Sequence, residues 1–121
     1  MTFYSKQGKV IFTAEFKKDL QNGMTREYYS YGEVWKQAQF FNDKKEGEEK
    51  TYHENGRLKA IGTYQKGLLE GPYREWASNG VLIYEAHYHL GKKHGRLVKY
   101  TPTGELLLEM QFTQDLPVGN R

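Results

Sequence analysis

The chain has 121 residues and a net charge of +3, contains no cysteine, and is 15% aromatic. This length predicts one domain, and the aromatic content argues against disorder. The lack of cysteine excludes disulfides and thiolate metal sites, and a mean hydropathy of -0.87 argues against a membrane span. The charge is too small to indicate a partner.

A period of 24 residues dominates the sequence, and no insertion or deletion interrupts it. One glycine series comprises Gly8, Gly32, Gly56, Gly80 and Gly104, and a second comprises Gly23, Gly47, Gly71, Gly95 and Gly119. Small or flexible residues follow the same period at Ala14, Ala38, Gly62, Ala86 and Met110. The sequence therefore predicts a single repeat domain, residues 1–121, with repeats 1–24, 25–48, 49–72, 73–96 and 97–121.

Each repeat predicts, in chain order, a polar strand, a tight turn, an apolar strand and a polar connection. Residues 25–28 are typical of the first strand, Asn55-Gly56 of the turn, and residues 82–88 of the second strand, where apolar and polar side chains alternate. The connection, as in residues 42–47, is polar and ends in glycine. We therefore expect an all-β protein, an antiparallel meander of about ten strands in an elongated, twisted single-layer sheet.

The length of the hairpin turn decides which side chains share a face of this sheet. A two-residue turn pairs Tyr52 with Lys59 and places the Tyr28 series on the face opposite to the Phe40 series. A longer turn or a bulge shifts the pairing by one residue and places both series on one face, because a slip of one residue reverses every side chain. The sequence is compatible with both alternatives.

A single-layer sheet has two open ends and no second layer to cover it. We expect the terminal strands near residues 2–6 and 106–113, and the second of these is rich in leucine. An unprotected edge of this kind tends to pair with another strand. The sequence therefore predicts a homodimer through the face or the edge of the sheet, or a partner that caps this end.

The third repeat resembles a known repeat family. The residues that carry the resemblance are Gly47, Tyr52, His53-Glu54-Asn55-Gly56, Arg57-Leu58, Tyr64, Lys66-Gly67 and Gly71. They resemble the MORN repeat variant of bacterial YwqK-like proteins, and the resemblance covers all five repeats. The pattern departs from the better-known MORN repeat, in which an aromatic residue follows soon after the turn. Here the aromatic residue does not come until eight residues after the turn glycine. The resemblance implies hairpin repeats that serve as a protein-binding scaffold, and an antitoxin or immunity role beside a toxin.

Recurring aromatic residues are the candidate partner-binding residues, because binding energy concentrates in Trp, Tyr and Arg anchors. The first set is Tyr28, Tyr52, Trp76 and Tyr100 together with Arg74, and the second set is Phe40, Tyr64 and Tyr88. Packing of one hairpin against the next is the structural alternative for each of them. The alternative function is a glycan- or anionic-lipid-binding module that uses the aromatic ladders and the lysine-rich turns.

We expect no enzyme activity, no cofactor and no metal site. His87 and His89 share one side of a predicted strand with Glu85, but nothing fixes a further ligand, and solvated side chains near a turn are the simpler interpretation. Interspersed acidic residues argue against nucleic acid as a partner. A membrane surface is not expected either, because lysines that keep turns and sheet edges soluble are the simpler interpretation of the lysine-rich turns. No signal peptide or transmembrane segment is visible, so we expect a cytoplasmic protein, unless the chain is a fragment of a larger or secreted one.

Overall fold

The structure, a computed structural model, describes residues 1–118 and is all-β. Eleven strands form one antiparallel sheet in chain order beside a separate two-stranded ribbon, which confirms the predicted meander. The sheet consists of β1 (Thr2–Tyr4), β2 (Val10–Thr13), β5 (Gly23–Tyr28), β6 (Val34–Phe41), β7 (Lys44–Tyr52), β8 (Leu58–Gln65), β9 (Leu68–Trp76), β10 (Leu82–His89), β11 (Lys92–Tyr100), β12 (Leu106–Thr113) and β13 (Leu116–Pro117), and the ribbon of β3 (Phe16–Lys17) and β4 (Leu20–Gln21). None of the described residues belongs to a helix that is long and apolar enough to cross a membrane.

The hairpin turn within each repeat is longer than two residues. In the third repeat the N–H of His53 donates to the carbonyl of Arg57 at 2.8 Å, and the N–H of Gly56 donates to the carbonyl of His53 at 2.9 Å. Gly56 has a φ of 86°, a left-handed conformation that glycine adopts without steric cost, and it closes a three-residue loop. Tyr52 consequently pairs with Leu58, so the longer-turn alternative is correct for the pairing.

A β-bulge directly after this turn reverses the shift. Thr51 pairs with Ala60 although Tyr52 pairs with Leu58, so Lys59 is an extra residue in β8. Because neighbouring residues of a strand point to opposite faces, Tyr52 lies on the face opposite to Thr51 and Ala60. The first and second aromatic sets therefore occupy different faces. Of the two alternatives for the faces, the one with both sets on the same face is wrong, because the turn and the bulge cancel.

The repeats are joined to one another by two-residue turns. Asn42 and Asp43 have φ values of 48° and 69°, and β7 begins directly after them. Two successive positive φ values belong to a type I′ turn, whose twist matches that of the flanking strands. The predicted connection over residues 42–47 is therefore too long: Gly47 lies inside β7, at a φ of 103° beside a shift in register. Gly119, the last member of that glycine series, lies outside the described residues.

The small residues midway in each repeat mark the more buried face of the sheet, which we call face A. Ala14, Ala38 and Ala86 are 2%, 4% and 1% exposed. Their short side chains leave room for larger side chains on neighbouring strands to pack over them, so that a sheet of one layer has a core on this face. One buried cluster comprises Ala86, Leu97 and Phe112, with Tyr84, Tyr88 and Met110 packed against it. The opposite face, face B, carries the first aromatic set.

The ends of the sheet differ from the predicted edges. At the first end β1 is only three residues long, shorter than the expected residues 2–6. At the other end β13 pairs with Phe112 and Thr113, so the expectation of an open edge over residues 106–113 is wrong for that part. Within the described chain, residues 106–110 pair only with β11. Leu106, Leu107 and Leu108 are 58%, 65% and 40% exposed.

Candidate functional site

A row of aromatic residues, each paired with an aliphatic residue, crosses face B from one end of the sheet to the other. Its pairs are Tyr4 with Val10, Tyr28 with Val34, Tyr52 with Leu58, Trp76 with Leu82, and Tyr100 with Leu106. Four of its members are the first predicted set, and all four are half-buried. Each of these four rings therefore keeps part of its surface exposed, and each is in register with an aliphatic residue on the neighbouring strand. We call this row the aromatic row.

Charged residues lie beside the aromatic row on the same face. Arg26, Lys50 and Arg74 each precede an aromatic member by two residues, which places both side chains on one face. Arg74 forms an ion pair with Glu85 on the neighbouring strand. A second ion pair joins Arg96 Nε and Glu109 Oε2 at 2.5 Å, and hydrogen bonding to this carboxylate raises the pKa of Arg96. Arg74, the predicted anchor beside Trp76, is thus already neutralised.

The second predicted set lies on face A and takes part in packing. Tyr88 packs against the buried cluster, and its ring stands edge-on to that of Tyr73 at 6.4 Å. The ammonium of Lys45 lies 4.8 Å from the centre of the Tyr64 ring, and burial, together with the charge of Glu49, raises the pKa of Tyr64. The third member, Phe40, lines a cavity. The contacts of this set thus agree better with packing of one hairpin against the next than with an exposed row of rings.

In the second, third and fourth repeats, side chains of the hairpin turn contact the backbone of the turn of the next repeat. The hydroxyl of Tyr29 donates to the carbonyl of Tyr52 at 2.6 Å, and one repeat later the His53 ring lies 2.7 Å from the carbonyl of Trp76. A parallel series donates to backbone carbonyls: Tyr31 to Glu54, Asn55 to Ser78, and Asn79 to Pro102. These bonds fix the spacing between successive hairpin turns, each of which directly follows an aromatic member of the row. Nothing in the sequence pattern alone predicted them.

The opposite edge is held by a second set of bonds between repeats. The N–H of Asp43 donates to the carbonyl of Gln21 at 3.0 Å, and the Asp43 carboxylate accepts from the N–H of Gln21 at 2.6 Å. In the turn at Leu90-Gly91, glycine stands at the position of Asp43. There a carboxylate of the preceding repeat supplies the side-chain acceptor instead: Glu70 accepts from the N–H of Leu90 at 3.1 Å. The His89 ring lies 3.0 Å from the same carboxylate, and these bonds lower the pKa of Glu70. Both edges of the sheet are therefore linked from repeat to repeat.

The residues considered as metal ligands each contact a different neighbour. His87 Nδ1 lies 3.2 Å from the carbonyl of Arg96, His89 contacts Glu70, and Glu85 is paired with Arg74. Within residues 1–118, no three His, Cys, Asp or Glu side chains are grouped to hold a metal ion.

A cavity of about 240 Å³ opens on face A near the N-terminal end of the sheet. Its apolar lining comes from Phe12, Ala38 and Phe40, and its polar lining from Gln21, Thr25, Glu27, Lys36, Lys45 and Glu49. Lys45 Nζ lies 2.5 Å and Lys36 Nζ 3.7 Å from the same oxygen of Glu49. The glycine and aromatic series of the sequence did not single out these charges.

The hairpin β7–β8 and the hairpin β9–β10 coincide with two segments, residues 45–66 and 69–89, that match the profile of the MORN repeat variant. These two segments are MORN repeat variants. The two matches begin one 24-residue period apart, as the sequence pattern requires. MORN repeats are commonly interaction repeats that contact proteins or membranes. No curated protein matches the chain.

A signal for the missed charges exists within the 24-residue repeats themselves. The position of Glu49 is held by Thr25, Tyr73 and Leu97 in the other hairpins, and all four lie on the midline of face A. A carboxylate at a position where other repeats place tyrosine or leucine is a departure from the repeat. Comparing the repeats position by position, rather than searching for ladders of like residues, would have found it.

Proposed function

We propose that the chain is a non-enzymatic protein-interaction scaffold whose binding surface is the aromatic row of face B. The observation that carries the proposal is the continuity of this row across five repeats of an open sheet, beside a row of charged residues. Wide apolar strips with a polar margin are typical of protein interaction sites. The bonds between successive turns support the same function, because a preorganised surface loses little conformational entropy on binding.

Trp76 is the expected centre of this surface. It lies in the fourth repeat near the middle of the row, is half-buried, and its carbonyl is held by the His53 ring at 2.7 Å. A large, rigid ring with part of its surface exposed contributes contact area at a low entropic cost. Tyr52 and Tyr100 continue the surface on either side, and Arg74 contributes its stem while Glu85 holds its guanidinium.

The family resemblance extends the proposal to the partner. A bacterial toxin is the partner that the antitoxin label of YwqK-like proteins implies, so that the chain acts as an antitoxin or immunity protein. The test is co-expression of the chain with the products of neighbouring genes: rescue of growth from one toxic product supports this role, and no rescue from any of them contradicts it.

Affinity purification with matched variants tests the scaffold itself. We expect wild type to recover one stoichiometric protein, and Trp76→Ala to lose it, since truncation of a central anchor costs about 2 kcal/mol or more. The control is Phe41→Ala, which removes another aromatic ring, 61% exposed, from the far edge of the sheet. Equal recovery by both variants contradicts a binding surface on the aromatic row.

A glycan or an anionic lipid surface is the competing ligand. Lys44, Lys66 and Lys92 lie in or beside the two-residue turns of one edge, which is where an anionic surface would meet the sheet. Binding to vesicles of anionic lipid, or to polysaccharide, without a stoichiometric protein partner would favour this alternative over the scaffold.

Self-association is proposed for the C-terminal end, where Leu106, Leu107 and Leu108 are exposed. Leu107→Lys places a charge in any apolar contact formed there and is expected to weaken a homodimer. Sedimentation over a wide concentration range measures it. A wild-type protein that stays monomeric throughout contradicts the proposal.

A further inference from the structure

The cavity on face A owes its existence to polar residues at positions that are apolar elsewhere in the chain. Lys36 corresponds to Tyr84 two repeats later, and Glu49 corresponds to Leu97. Tyr84 and Leu97 belong to the packed C-terminal cluster. In the N-terminal half the same backbone positions leave about 240 Å³ unfilled above Ala38.

The first repeat supplies the outer wall of this cavity. Its second strand stops at Thr13, and the carboxylate of Glu15 accepts from the N–H of Met24 at 2.8 Å. The chain then forms the separate ribbon β3–β4, from which Gln21 donates its amide to the Thr25 hydroxyl at 3.3 Å. The only buried polar side chain of the described residues, Thr25, thereby has a partner within the wall.

Of the charged groups at the cavity, one carboxylate is unpaired within the described residues, and one ammonium is only loosely paired. Glu27 and Lys36 face each other in register on β5 and β6, yet they form no ion pair. Within residues 1–118, Glu27 makes no ion pair or side-chain hydrogen bond. The carboxylate oxygen nearest to the Lys36 ammonium belongs to Glu49 and is 3.7 Å away. Lys45 lies closer to that same oxygen, at 2.5 Å, and neutralises it. Two opposite charges beside an apolar cavity lining are complementary to a ligand that carries both charges and an apolar group.

We propose that this cavity binds a small zwitterion with an apolar side chain, in chemical terms a hydrophobic α-amino acid. Its carboxylate pairs with Lys36, its ammonium pairs with Glu27, and its side chain packs on Phe12 and Phe40. The volume is below the roughly 300–1,000 Å³ of sites for drug-sized ligands, which suits a ligand of this size. This site lies on the face opposite to the aromatic row and is independent of the scaffold function.

Titration calorimetry with L-phenylalanine and L-leucine tests the proposal on the full chain. Each analogue that lacks one charge, 3-phenylpropionate or 2-phenylethylamine, is expected to bind at least about tenfold more weakly, since a hydrogen bond to a charged group contributes roughly 1.5–3 kcal/mol. Binding of an analogue as tight as that of the amino acid would overturn the zwitterion assignment. No heat with either amino acid up to about 10 mM would overturn the site altogether.

Matched variants locate the binding. Glu27→Gln and Lys36→Gln each remove one charge at nearly constant shape, and each is expected to weaken binding at least about tenfold. The controls, Glu48→Gln and Lys50→Gln, change the same residue types on face B and are expected to bind as wild type does. Equal affinity of all four variants would overturn the proposal, and circular dichroism verifies that each remains folded.

Discussion

The two halves of face A use the same repeat positions for opposite purposes. In the C-terminal half, Ala86, Leu97 and Phe112 are buried together and surrounded by aromatic rings. In the N-terminal half, the residues equivalent to the first two are Ala38 and Glu49, and a cavity with four charged residues takes the place of the cluster. A repeat therefore determines the backbone and the register, while each copy remains free to build core or site on it.

The energetics of the two halves differ accordingly. Full burial of a leucine side chain such as Leu97 stabilises the fold by roughly 1.5–3 kcal/mol. The Lys45–Glu49 pair, with side chains 30% and 15% exposed, contributes little beyond what a surface ion pair does, roughly 0–1 kcal/mol. We therefore expect the C-terminal half to be the more stable part of the sheet, while the N-terminal half retains the cavity.

The largest effect is expected from deletions, which test whether the halves are joined only through neighbouring hairpins. Removal of residues 49–72, one whole period, keeps every remaining hairpin in register and should leave a folded, less stable protein. Removal of residues 49–60 joins unlike strands and should abolish folding. Circular dichroism and thermal unfolding compare the two, and equal tolerance of both deletions contradicts a chain of interchangeable repeats.

A reciprocal exchange at equivalent positions tests the difference between the halves directly. Leu97→Glu buries a carboxylate without a partner and is expected to lower the free energy of unfolding by about 3–5 kcal/mol. Glu49→Leu is expected to change it by less than about 1 kcal/mol, since Lys36 and Lys45, 32% and 30% exposed, can turn to water.

Denaturant titration measures both variants of this exchange, with Leu97→Met as the volume-conserving control. Losses of similar size for Leu97→Glu and Glu49→Leu would show that the two halves are equivalent in packing, and the division into a core half and a site half would be wrong.

The sequence predicted the backbone better than the side-chain content of the two halves. The 24-residue period and the Asn-Gly turns suffice for the meander, because a hairpin is determined by local turn chemistry and alternation. The occurrence of the bulge at Lys59 together with the longer turn, and the two-residue turn at Asn42-Asp43, were missed, because polar residues occur in strands and turns alike. The turn bonds such as Tyr29 to Tyr52 join residues of different repeats and require the three-dimensional register.

A smaller effect concerns two tyrosines of the C-terminal half at high pH. Burial, followed by a hydrogen bond to Glu75, raises the pKa of Tyr73, and burial, followed by a hydrogen bond to Tyr88, raises that of Tyr84. A raised pKa in the folded state means that this stability is fully present below the unfolded value of 10.0 and is lost as the pH rises through the folded value. Stability is therefore expected to fall above about pH 10.

Tyr73→Phe removes one of these titrating groups and should flatten the alkaline fall, while Tyr4→Phe, 61% exposed and far from the cluster, should not. Denaturant titrations at several pH values, with the ultraviolet absorbance of the phenolate, measure it. An alkaline fall that is identical in both variants would mean that the C-terminal tyrosines are not protected by packing.

Hydrogen exchange of individual amides tests the central claim, the unequal stability of the two halves, most directly. The matched strand pairs are β10–β11, at Ala86 and Leu97, and β6–β7, at Ala38 and Glu49, which have equivalent register. We predict that the amides of the first pair exchange at least about tenfold more slowly, a difference of about 1.4 kcal/mol in opening free energy. Equal protection of the two pairs, or slower exchange at β6–β7, would contradict this unequal stability.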